Sequence, residues 1–422
     1  MKVKTKKITY EQLIAMQPPK RKKLKKPSFL FRSLVRLLSI PDLMATHFSY
    51  TTSRMELAGK GPYLILMNHS SFIDLKIASK IFYPKPYYIV ATSDGMIGKE
   101  WLMRQIGCIP TQKFVSDAAL ARDMARAVKN KKISVLMFPE AGYSFDGCTT
   151  TLPRKLGQLV KLLNVPVISV ITNGAFLRQP LYNNLRIRKT NVSAHVQCLI
   201  TPQEIADKSV DELDAIIDEA FSFDNFKTQL ETKTEISVPN RAEGLQRLLY
   251  RCPACQAEGA TEGIGTTLTC RQCGKQYEMN VYGQMQAVEG ETEFSHIPNW
   301  YQWQRECVKT ELQQGAYRMD LDVNVYALMD YKALYELGEG KLTHDENGFR
   351  LTACDGKLDY QQSPLSSYSL NSDYYWYEIG DIICIGNKQC LYYCFPRQQG
   401  VVTKARLAAE ELYKLCRAKE IK

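Results

Sequence analysis

The sequence has no run of about 18 uncharged apolar residues, so it does not predict a conventional membrane-spanning helix. Its basic start contains no apolar stretch that ends at a small-residue cleavage site, which argues against a secretory signal. The composition is 45% hydrophobic, 23% charged and 10% aromatic; these globular values exclude wholesale disorder, collagen and coiled coil. A length of 422 residues is enough for two or three domains.

Most of the chain also lacks an excess of either charge. Residues 1–36 hold twelve Lys and Arg against one acid, Glu11, and this surplus equals the net charge of +11 of the whole chain. The remaining residues carry 43 basic and 43 acidic side chains. A basic arm, residues 1–27, on a neutral body predicts docking to an anionic polymer or an anionic membrane, with a solvated tail as the alternative.

An apolar helix is predicted directly after the arm, over residues 28–40. Its polar residues Arg32, Ser33, Arg36 and Ser39 form a narrow stripe, and apolar side chains cover the rest of the helix. A helix of this kind beside a lysine cluster is typical of a bilayer interface, where lysines attract anionic headgroups and the apolar side enters the acyl boundary. The alternative is an ordinary helix packed on its own domain.

Residues 28–235 are predicted to form an α/β domain with a largely parallel sheet, because short apolar strands alternate with helical stretches. Such sheets carry their sites at the carboxyl ends of the strands. The predicted strands are Tyr63–Met67, Tyr87–Ala91, Ile133–Phe138, Val165–Ile171 and Ala194–Ile200.

The first candidate site follows the strand Tyr63–Met67. His69 and Asp74 can meet only if His69 lies in the loop and Asp74 in the first turn of the next helix, because residues five apart on one helix point away from each other. Asp74 would then hold the imidazole and leave its other nitrogen free to take a hydroxyl proton. Ser70 or Ser71 is expected to cap the helix. A catalytic serine is the alternative, although neither stands in a nucleophile-elbow pattern.

Three further blocks follow this one along the chain. The four blocks together are Asn68-His69-x4-Asp74, Gly107-Cys108-Ile109 ending in Lys113, Phe138-Pro139-Glu140-Ala141-Gly142-Tyr143-Ser144 and Val165-Pro166-Val167-Ile168-Ser169-Val170. Their order and spacing resemble the glycerolipid acyltransferase family, typified by 1-acylglycerol-3-phosphate O-acyltransferases. The resemblance covers roughly residues 40–225.

The resemblance implies an enzyme that moves an acyl group from acyl-CoA or acyl-carrier protein to the hydroxyl of a lysophospholipid, with 1-acylglycerol-3-phosphate as the expected acceptor. It implies catalysis by His69 and Asp74, and substrate binding by Lys113, Glu140, Gly107 and Asn68. No covalent enzyme intermediate is required, since the acceptor hydroxyl takes the place of a triad serine. Backbone N–H groups at the start of the helix after His69 are the expected oxyanion donors.

The sequence departs from the family pattern in the third block, where Gly142 or Tyr143 occupies the place of an Arg associated with the acceptor phosphate. Lys113 stands where the family usually has Arg, and it still offers a point charge. The loss leaves open a lysophospholipid or aminolipid acceptor that is not a phosphate monoester. Arg154 and Lys155 are candidate substitutes for the missing Arg, with solvated residues at a helix start as the alternative.

Thirteen cysteines, an odd number, fit a reducing compartment, and nine of them are scattered. The other four form a C-x2-C-x14-C-x2-C pattern that predicts a structural zinc site in a ribbon over residues 245–290. Its four ligands are Cys252, Cys255, Cys270 and Cys273. A redox role is the alternative. The ribbon carries more acids than bases, which argues against a nucleic-acid partner.

Residues 294–422 are predicted to form a mostly antiparallel β domain that ends in a helix over Val401–Lys419. The order of elements resembles a pleckstrin-homology-like (PH-like) barrel with its capping helix; a small antiparallel sandwich is the alternative. The sequence as a whole predicts a peripheral or monotopic enzyme on the cytoplasmic face of a membrane, with membrane lipids as partners through the arm and residues 28–40. A non-catalytic membrane or nucleic-acid binding protein on the same scaffold is the alternative from another class.

Overall fold

The computed structural model describes residues 3–115, 117–154 and 156–420. These residues form three β-sheets, of seven, four and eight strands. The arm and the α/β region contain β1 (Thr5–Lys7), α1 (Tyr10–Ile14), α2 (Phe29–Ala45), β2 (Ser49–Ser53), β3 (Leu64–Met67), α3 (Asp74–Phe82), β4 (Tyr87–Thr92), α4 (Glu100–Ile106), β5 (Cys108–Thr111), α5 (Ala118–Ala125), β6 (Ser134–Met137), α6 (Leu156–Leu163), β7 (Val167–Asn173), α7 (Ala175–Arg178), β8 (Ser193–Ile200), α8 (Pro202–Asp207), α9 (Val210–Ala220), α10 (Asn225–Glu231) and α11 (Leu245–Leu248).

The seven-stranded sheet has the order β2-β8-β7-β3-β6-β4-β5. All neighbouring strands are parallel except β7 and β8, which confirms the predicted largely parallel α/β sheet. Alternate residues of β3 pack in separate hydrophobic clusters: Ile65 and Met67 belong to one, and Leu64 and Leu66 belong to the other. This period of two places a core on each face of the sheet.

Two strands of this sheet escaped the sequence prediction. β2 is Ser-Tyr-Thr-Thr-Ser and mostly exposed, so it has no apolar pattern to reveal it. β5 has four residues and contains Pro110, which is tolerated because β5 is the edge strand. Both strands are recruited by pairing with a long neighbour, which is a tertiary effect.

The basic arm is bound to the body over much of its length. β1 pairs in parallel with a strand of the C-terminal sheet, and Leu13 of α1 is buried. Arg21 forms ion pairs with Asp117 and Asp123 on the α/β domain, and Lys22 pairs with Glu100. A solvated tail is therefore wrong for these parts of the arm, because they exchange water for partners within the chain.

Helix α2 turns its polar stripe toward the protein. Ser39 is buried, the Arg32 guanidinium donates to the Pro84 carbonyl over 2.7 Å, and the Ser33 hydroxyl lies 3.3 Å from that of Tyr83. The opposite, apolar face is exposed and consists of Phe29, Leu30, Leu34, Leu37, Leu38, Ile40 and Met44. No helix in the described part of the chain is long and apolar enough to cross a bilayer.

The second sheet follows the α/β domain and is built from β9 (Thr261–Ile264), β10 (Thr267–Cys270), β11 (Gln276–Met279) and β12 (Met285–Ala287). Its strands are antiparallel in the order β12-β11-β10-β9. The turns that precede β9 and follow β10 bring four cysteines together at one end of this small sheet.

The third region contains α12 (Ile297–Gln313), β13 (Met319–Leu328), β14 (Leu334–Asp345), β15 (Gly348–Ala353), β16 (Leu358–Gln362), β17 (Asn371–Trp376), β18 (Gly380–Gly386), β19 (Leu391–Pro396) and α13 (Val401–Glu420). The seven strands run antiparallel in the order β16-β15-β14-β13-β19-β18-β17, and β1 adds to β14. This confirms the expected antiparallel C-terminal domain with a closing helix.

The C-terminal domain packs on the α/β domain at the loops that follow β4 and β6. The Trp376 indole donates to the Asp94 carboxylate over 3.1 Å, and the rings of Phe145 and Tyr374 stack with centroids 4.3 Å apart. These loops lie at the carboxyl edge of the parallel sheet, so the C-terminal domain reaches the edge where α/β proteins carry their sites.

Candidate active site

His69 and Asp74 meet at the carboxyl end of β3. His69 lies in the loop after the strand and Asp74 is the first residue of α3, as the spacing predicts. The imidazole Nδ1 and the Asp74 Oδ2 are 2.9 Å apart. Since Asp74 is a buried carboxylate and accepts this bond, Nδ1 carries the proton and Nε2 is the basic nitrogen. His69 Nε2 makes no hydrogen bond to any described residue.

Asp74 also organises the loop in front of it. Its Oδ2 accepts the backbone N–H of Ser70 over 2.8 Å and that of Ser71 over 3.1 Å. The expected serine cap is therefore wrong: the helix has no side-chain cap, and both serine hydroxyls are buried without a hydrogen bond in the described structure. The same two N–H groups are also unavailable as oxyanion donors, because the carboxylate already binds them.

Two aromatic rings hold the imidazole from either side. The Phe138 ring stacks on His69 with centroids 4.0 Å apart, and the Tyr143 ring lies at 4.3 Å. The His69 side chain keeps 23% of its surface exposed, so it remains accessible to a substrate. Of Gly142 and Tyr143, the two residues at the place expected for the family Arg, Tyr143 thus packs its ring on the catalytic candidate.

Glu140 supports the loop from β6. It is completely buried, and its Oε2 accepts the backbone N–H of His69 over 2.7 Å. Burial raises the pKa of this carboxyl to about 8, against the lowering effect of the His69 N–H. Glu140 therefore holds His69 through the backbone and keeps its own proton at neutral pH.

Asn68 is also buried and ties β3 to β7. Its side-chain oxygen accepts the N–H of Thr172 over 2.8 Å and the Thr172 hydroxyl over 3.0 Å, and its amide donates to the Thr172 carbonyl. These bonds use both acceptor positions of the side-chain oxygen and one amide N–H, so they fix Asn68 directly before His69.

Lys113 and Gly107 lie apart from this group, at opposite ends of β5. Lys113 follows the carboxyl end of the strand, where its charge lowers the pKa of Asp373, which burial raises to about 6. Gly107 precedes the strand with φ +105°, and a Cβ there would lie 2.6 Å from Pro27 Cγ. The structure gives Gly107 a packing role at the far edge of the sheet.

The candidate substitutes for the missing Arg lie elsewhere. Arg154 is exposed and forms an ion pair with Asp218 on α9. Lys155 lies outside the described residues.

Sequence reasoning missed the contribution of the C-terminal domain: its Tyr374 ring stacks on Phe145, two residues after Tyr143, with centroids 4.3 Å apart. Burial raises the pKa of Tyr143, and the carboxylates of Asp74, Asp373 and Asp94 raise it further. Asp373 belongs to β17, some 300 residues from His69 in the chain. A local pattern cannot reveal this proximity, since it depends on how two domains pack.

The four predicted metal ligands converge in the second sheet. The Sγ atoms of Cys252 and Cys273 are 3.8 Å apart, those of Cys255 and Cys270 are 3.7 Å apart, and all four lie within 4.8 Å of one another. Four thiolates placed tetrahedrally about 2.3 Å from a metal ion would be about 3.8 Å apart. The geometry therefore fits a tetrahedral metal ion.

Comparisons with known proteins agree with part of these findings. The chain is similar to a solved 1-acyl-sn-glycerophosphate (LPA) acyltransferase, PlsC, from Thermotoga maritima, over 45% of this chain and 76% of that one. At 16% identity and a TM-score of 0.36, this likeness does not establish a shared fold or function. Comparison with curated proteins gives no match. The Acyltransferase family model matches residues 48–173, and His69, Asp74, Lys113 and Glu140 all lie inside this range. The matched segment runs from the residue before β2 to the end of β7, so it includes both the loop with His69 and the loop with Glu140.

Proposed function

We propose that the protein transfers a fatty acyl group from a thioester donor to the hydroxyl of a lysophospholipid, with 1-acylglycerol-3-phosphate as the first candidate acceptor. The observation that carries this proposal is the His69–Asp74 pair at 2.9 Å, held by Glu140 inside a domain that matches an acyltransferase model. The donor is acyl-CoA or an acyl-carrier protein.

The reaction needs one base and no covalent enzyme intermediate. His69 Nε2 takes the proton of the acceptor hydroxyl as that oxygen attacks the thioester carbonyl. Asp74 stabilises the imidazolium that forms. The tetrahedral intermediate then collapses, the C–S bond breaks, and the imidazolium returns the proton to the departing thiolate. The products are an ester and a free thiol.

A second acceptor class is favoured by one observation. Gly142 or Tyr143 stands at the position of the family Arg, and neither supplies a guanidinium for a phosphate monoester; the Tyr143 ring packs on His69 instead. Carboxylates of Asp94 and Asp373 lie close enough to act on Tyr143. An aminolipid or another lyso-lipid, whose headgroup is not a phosphate monoester, would suit this surrounding better.

We also infer that the protein works on the cytoplasmic face of a membrane as a peripheral or monotopic protein. The support is the exposed apolar face of α2, together with Trp101, which is 65% exposed and makes an edge contact with Phe31. The neighbouring Lys23 and Lys26 have no acidic partner among the described residues. Apolar surface beside free lysines is suited to an anionic bilayer.

We assign structural roles to the four-cysteine ribbon and to the C-terminal domain. Four converging thiols at tetrahedral spacing suit zinc, and a closed site of four cysteines catalyses nothing and stabilises the fold. The strand order β16-β15-β14-β13-β19-β18-β17 followed by α13 supports a PH-like domain.

The test is a transfer assay with purified protein, acyl-CoA or acyl-carrier protein, and anionic vesicles that contain one lyso-lipid at a time. Esterification of 1-acylglycerol-3-phosphate, lost in His69→Ala, would support the first acceptor. Esterification of an aminolipid or another lyso-lipid alone would support the second. No transfer to any acceptor, with a folded protein bound to the vesicles, would support the non-catalytic alternative and overturn the proposal.

A further inference from the structure

A cavity of about 230 Å³ lies where the basic arm, the α/β domain and the C-terminal domain meet. Residues 18–25 of the arm form one wall, strand β5 forms the second, and the loops at 328–331 and 388–389 form the third. Two of these walls lie outside the segment that matches the acyltransferase model.

The cavity has an excess of free positive charge. Two of its acids, Asp117 and Asp123, form ion pairs with Arg21, Asp123 also pairs with Arg126 outside the cavity, and Glu100 pairs with Lys22. The fourth acid, Asp330, accepts hydrogen bonds from the Tyr335 hydroxyl and a backbone N–H.

Three lysines of the cavity, Lys20, Lys25 and Lys388, have no ion-pair partner in the described ranges. Their side chains are exposed to solvent and can turn toward an anion. Six basic residues therefore line the cavity against four acids, and the three paired acids leave these lysines unopposed.

The lining of the cavity also contains a buried hydroxyl without a hydrogen-bond partner among the described residues. Tyr88 on β4 is 1% exposed, lines the cavity, and its hydroxyl makes no hydrogen bond to a described residue. An unsatisfied buried hydroxyl is costly, so it marks a place where a bound polar group would supply the missing bond. Burial raises the pKa of Tyr88 to about 12, so the phenol stays protonated and can donate.

The position of the cavity relates it to the reaction. Ser93 and Thr111, at the carboxyl ends of β4 and β5, line it, so it lies at the same sheet edge as His69. In the order β3-β6-β4-β5, three strand spacings separate His69 from β5, which is about 14 Å. The phosphate of a glycerophosphate acceptor is only a few bonds from its reacting hydroxyl and cannot reach so far. The phosphates of a coenzyme A thioester are separated from the reacting carbonyl by the long pantetheine arm.

We propose that this cavity binds the phosphate-bearing nucleotide end of a coenzyme A thioester, with Lys20, Lys25 and Lys388 facing the phosphates and the Tyr88 hydroxyl donating to the ligand. This rests on the proposed acyl transfer. At about 230 Å³ the cavity is smaller than the roughly 300 Å³ at which pockets for whole ligands begin, which suits one end of a longer molecule.

The direct test measures binding of adenosine 3′,5′-diphosphate to the full chain by calorimetry. Binding should weaken at least tenfold in Lys20→Gln/Lys25→Gln/Lys388→Gln and several-fold in Tyr88→Phe. It should remain within twofold in a matched control that removes three exposed, unpaired lysines elsewhere: Lys60, Lys131 and Lys233. His69→Ala should bind the nucleotide normally, so this readout does not depend on catalysis.

A kinetic arm identifies the source of the phosphate. In the triple lysine variant the KM for acyl-CoA should rise at least tenfold while kcat changes less than twofold. The KM for an acyl-pantetheine, which lacks the nucleotide, should equal that of the unmodified protein. Three results would each overturn the proposal: no nucleotide binding, equal nucleotide binding by the triple variant and the control, or a loss of glycerol 3-phosphate binding in the triple variant instead.

Discussion

Replacing Glu140 with Gln should change how stability depends on pH. Glu140 has no exposed surface, and its Oε2 accepts the His69 N–H over 2.7 Å. Gln has nearly the same shape, offers an amide oxygen to the same N–H and cannot ionise. The substitution therefore removes the titration and keeps the contact.

The sign and size follow from the shift of the pKa. The carboxyl has a usual pKa of 4.5 and a folded pKa of about 8, so the native state binds the proton more tightly than the unfolded state between these values. Stability of the unmodified protein should fall as pH rises through this window, by up to about 1.4 kcal/mol per unit. The loss is complete above pH 8, and the 3.5-unit shift gives a ceiling of about 5 kcal/mol.

The assay is denaturant unfolding of both proteins at intervals from pH 5 to pH 9. The stability difference, Gln variant minus unmodified protein, should grow with pH and level off above 8. An exposed carboxylate on α9, replaced as Glu219→Gln, is the matched control and should give a flat difference. A flat difference for Glu140→Gln, or a variant that is less stable at pH 9 than at pH 6 relative to its parent, would show that Glu140 is ionised in the folded protein.

Four other changes test separate parts of the molecule. His69→Ala should reduce acyl transfer by about 10²- to 10⁴-fold with the thermal unfolding midpoint unchanged, and an active variant would contradict the assignment. Metal analysis should find one zinc ion per chain, with a lower content and a lower midpoint in Cys252→Ala; equal zinc in both would refute the site. Leu30→Ser/Leu38→Ser, on the exposed face of α2, should reduce co-sedimentation with anionic vesicles at every salt concentration, whereas unchanged sedimentation would remove α2 from the interface. Lys113→Ala tests the acceptor role that the family resemblance implies: because Lys113 follows β5, about three strand spacings from His69, the KM values for acceptor and donor should change equally, and a larger rise for the acceptor would place Lys113 in the acceptor site.

Local sequence patterns were sufficient to predict the features that depend on a short stretch of residues. The His-x4-Asp spacing places one residue in a loop and the other in a helical turn, and the structure has this arrangement. The spacing of Cys252, Cys255, Cys270 and Cys273 likewise predicts four thiols at one point, because each knuckle is a local turn. The buried strands β3, β6 and β7 are revealed by continuous apolar runs.

Features that depend on distant partners were not predictable in this way. The sequence predicts the apolar side of α2 that would enter a bilayer, but the packing of its polar stripe depends on Tyr83 and Pro84 in a later loop. The arm looks like a free chain of lysines, yet β1 joins β14, because the first residues of β14 extend beyond the part that pairs with β15 and leave one side open. The N–H groups of Ser70 and Ser71 look free for an oxyanion until the position of the Asp74 carboxylate is known.

The loop after β6 combines a local sequence pattern with contacts to distant residues. Its motif lies in one short stretch, and residues of the C-terminal domain pack on it. Phe145 follows Glu140 and Tyr143 in this loop, and it is buried between the Tyr374 ring at 4.3 Å and the Arg406 guanidinium at 4.4 Å. Removing a buried Phe side chain costs about 3–5 kcal/mol of stability, so Phe145 is a substantial anchor for the loop. The loop in turn carries Glu140, which binds the His69 backbone. The acyltransferase match ends at residue 173, but the contacts that hold its catalytic loop extend to α13. The C-terminal domain therefore contacts the loop that carries Glu140, through residues that lie outside the segment matched by the Acyltransferase model.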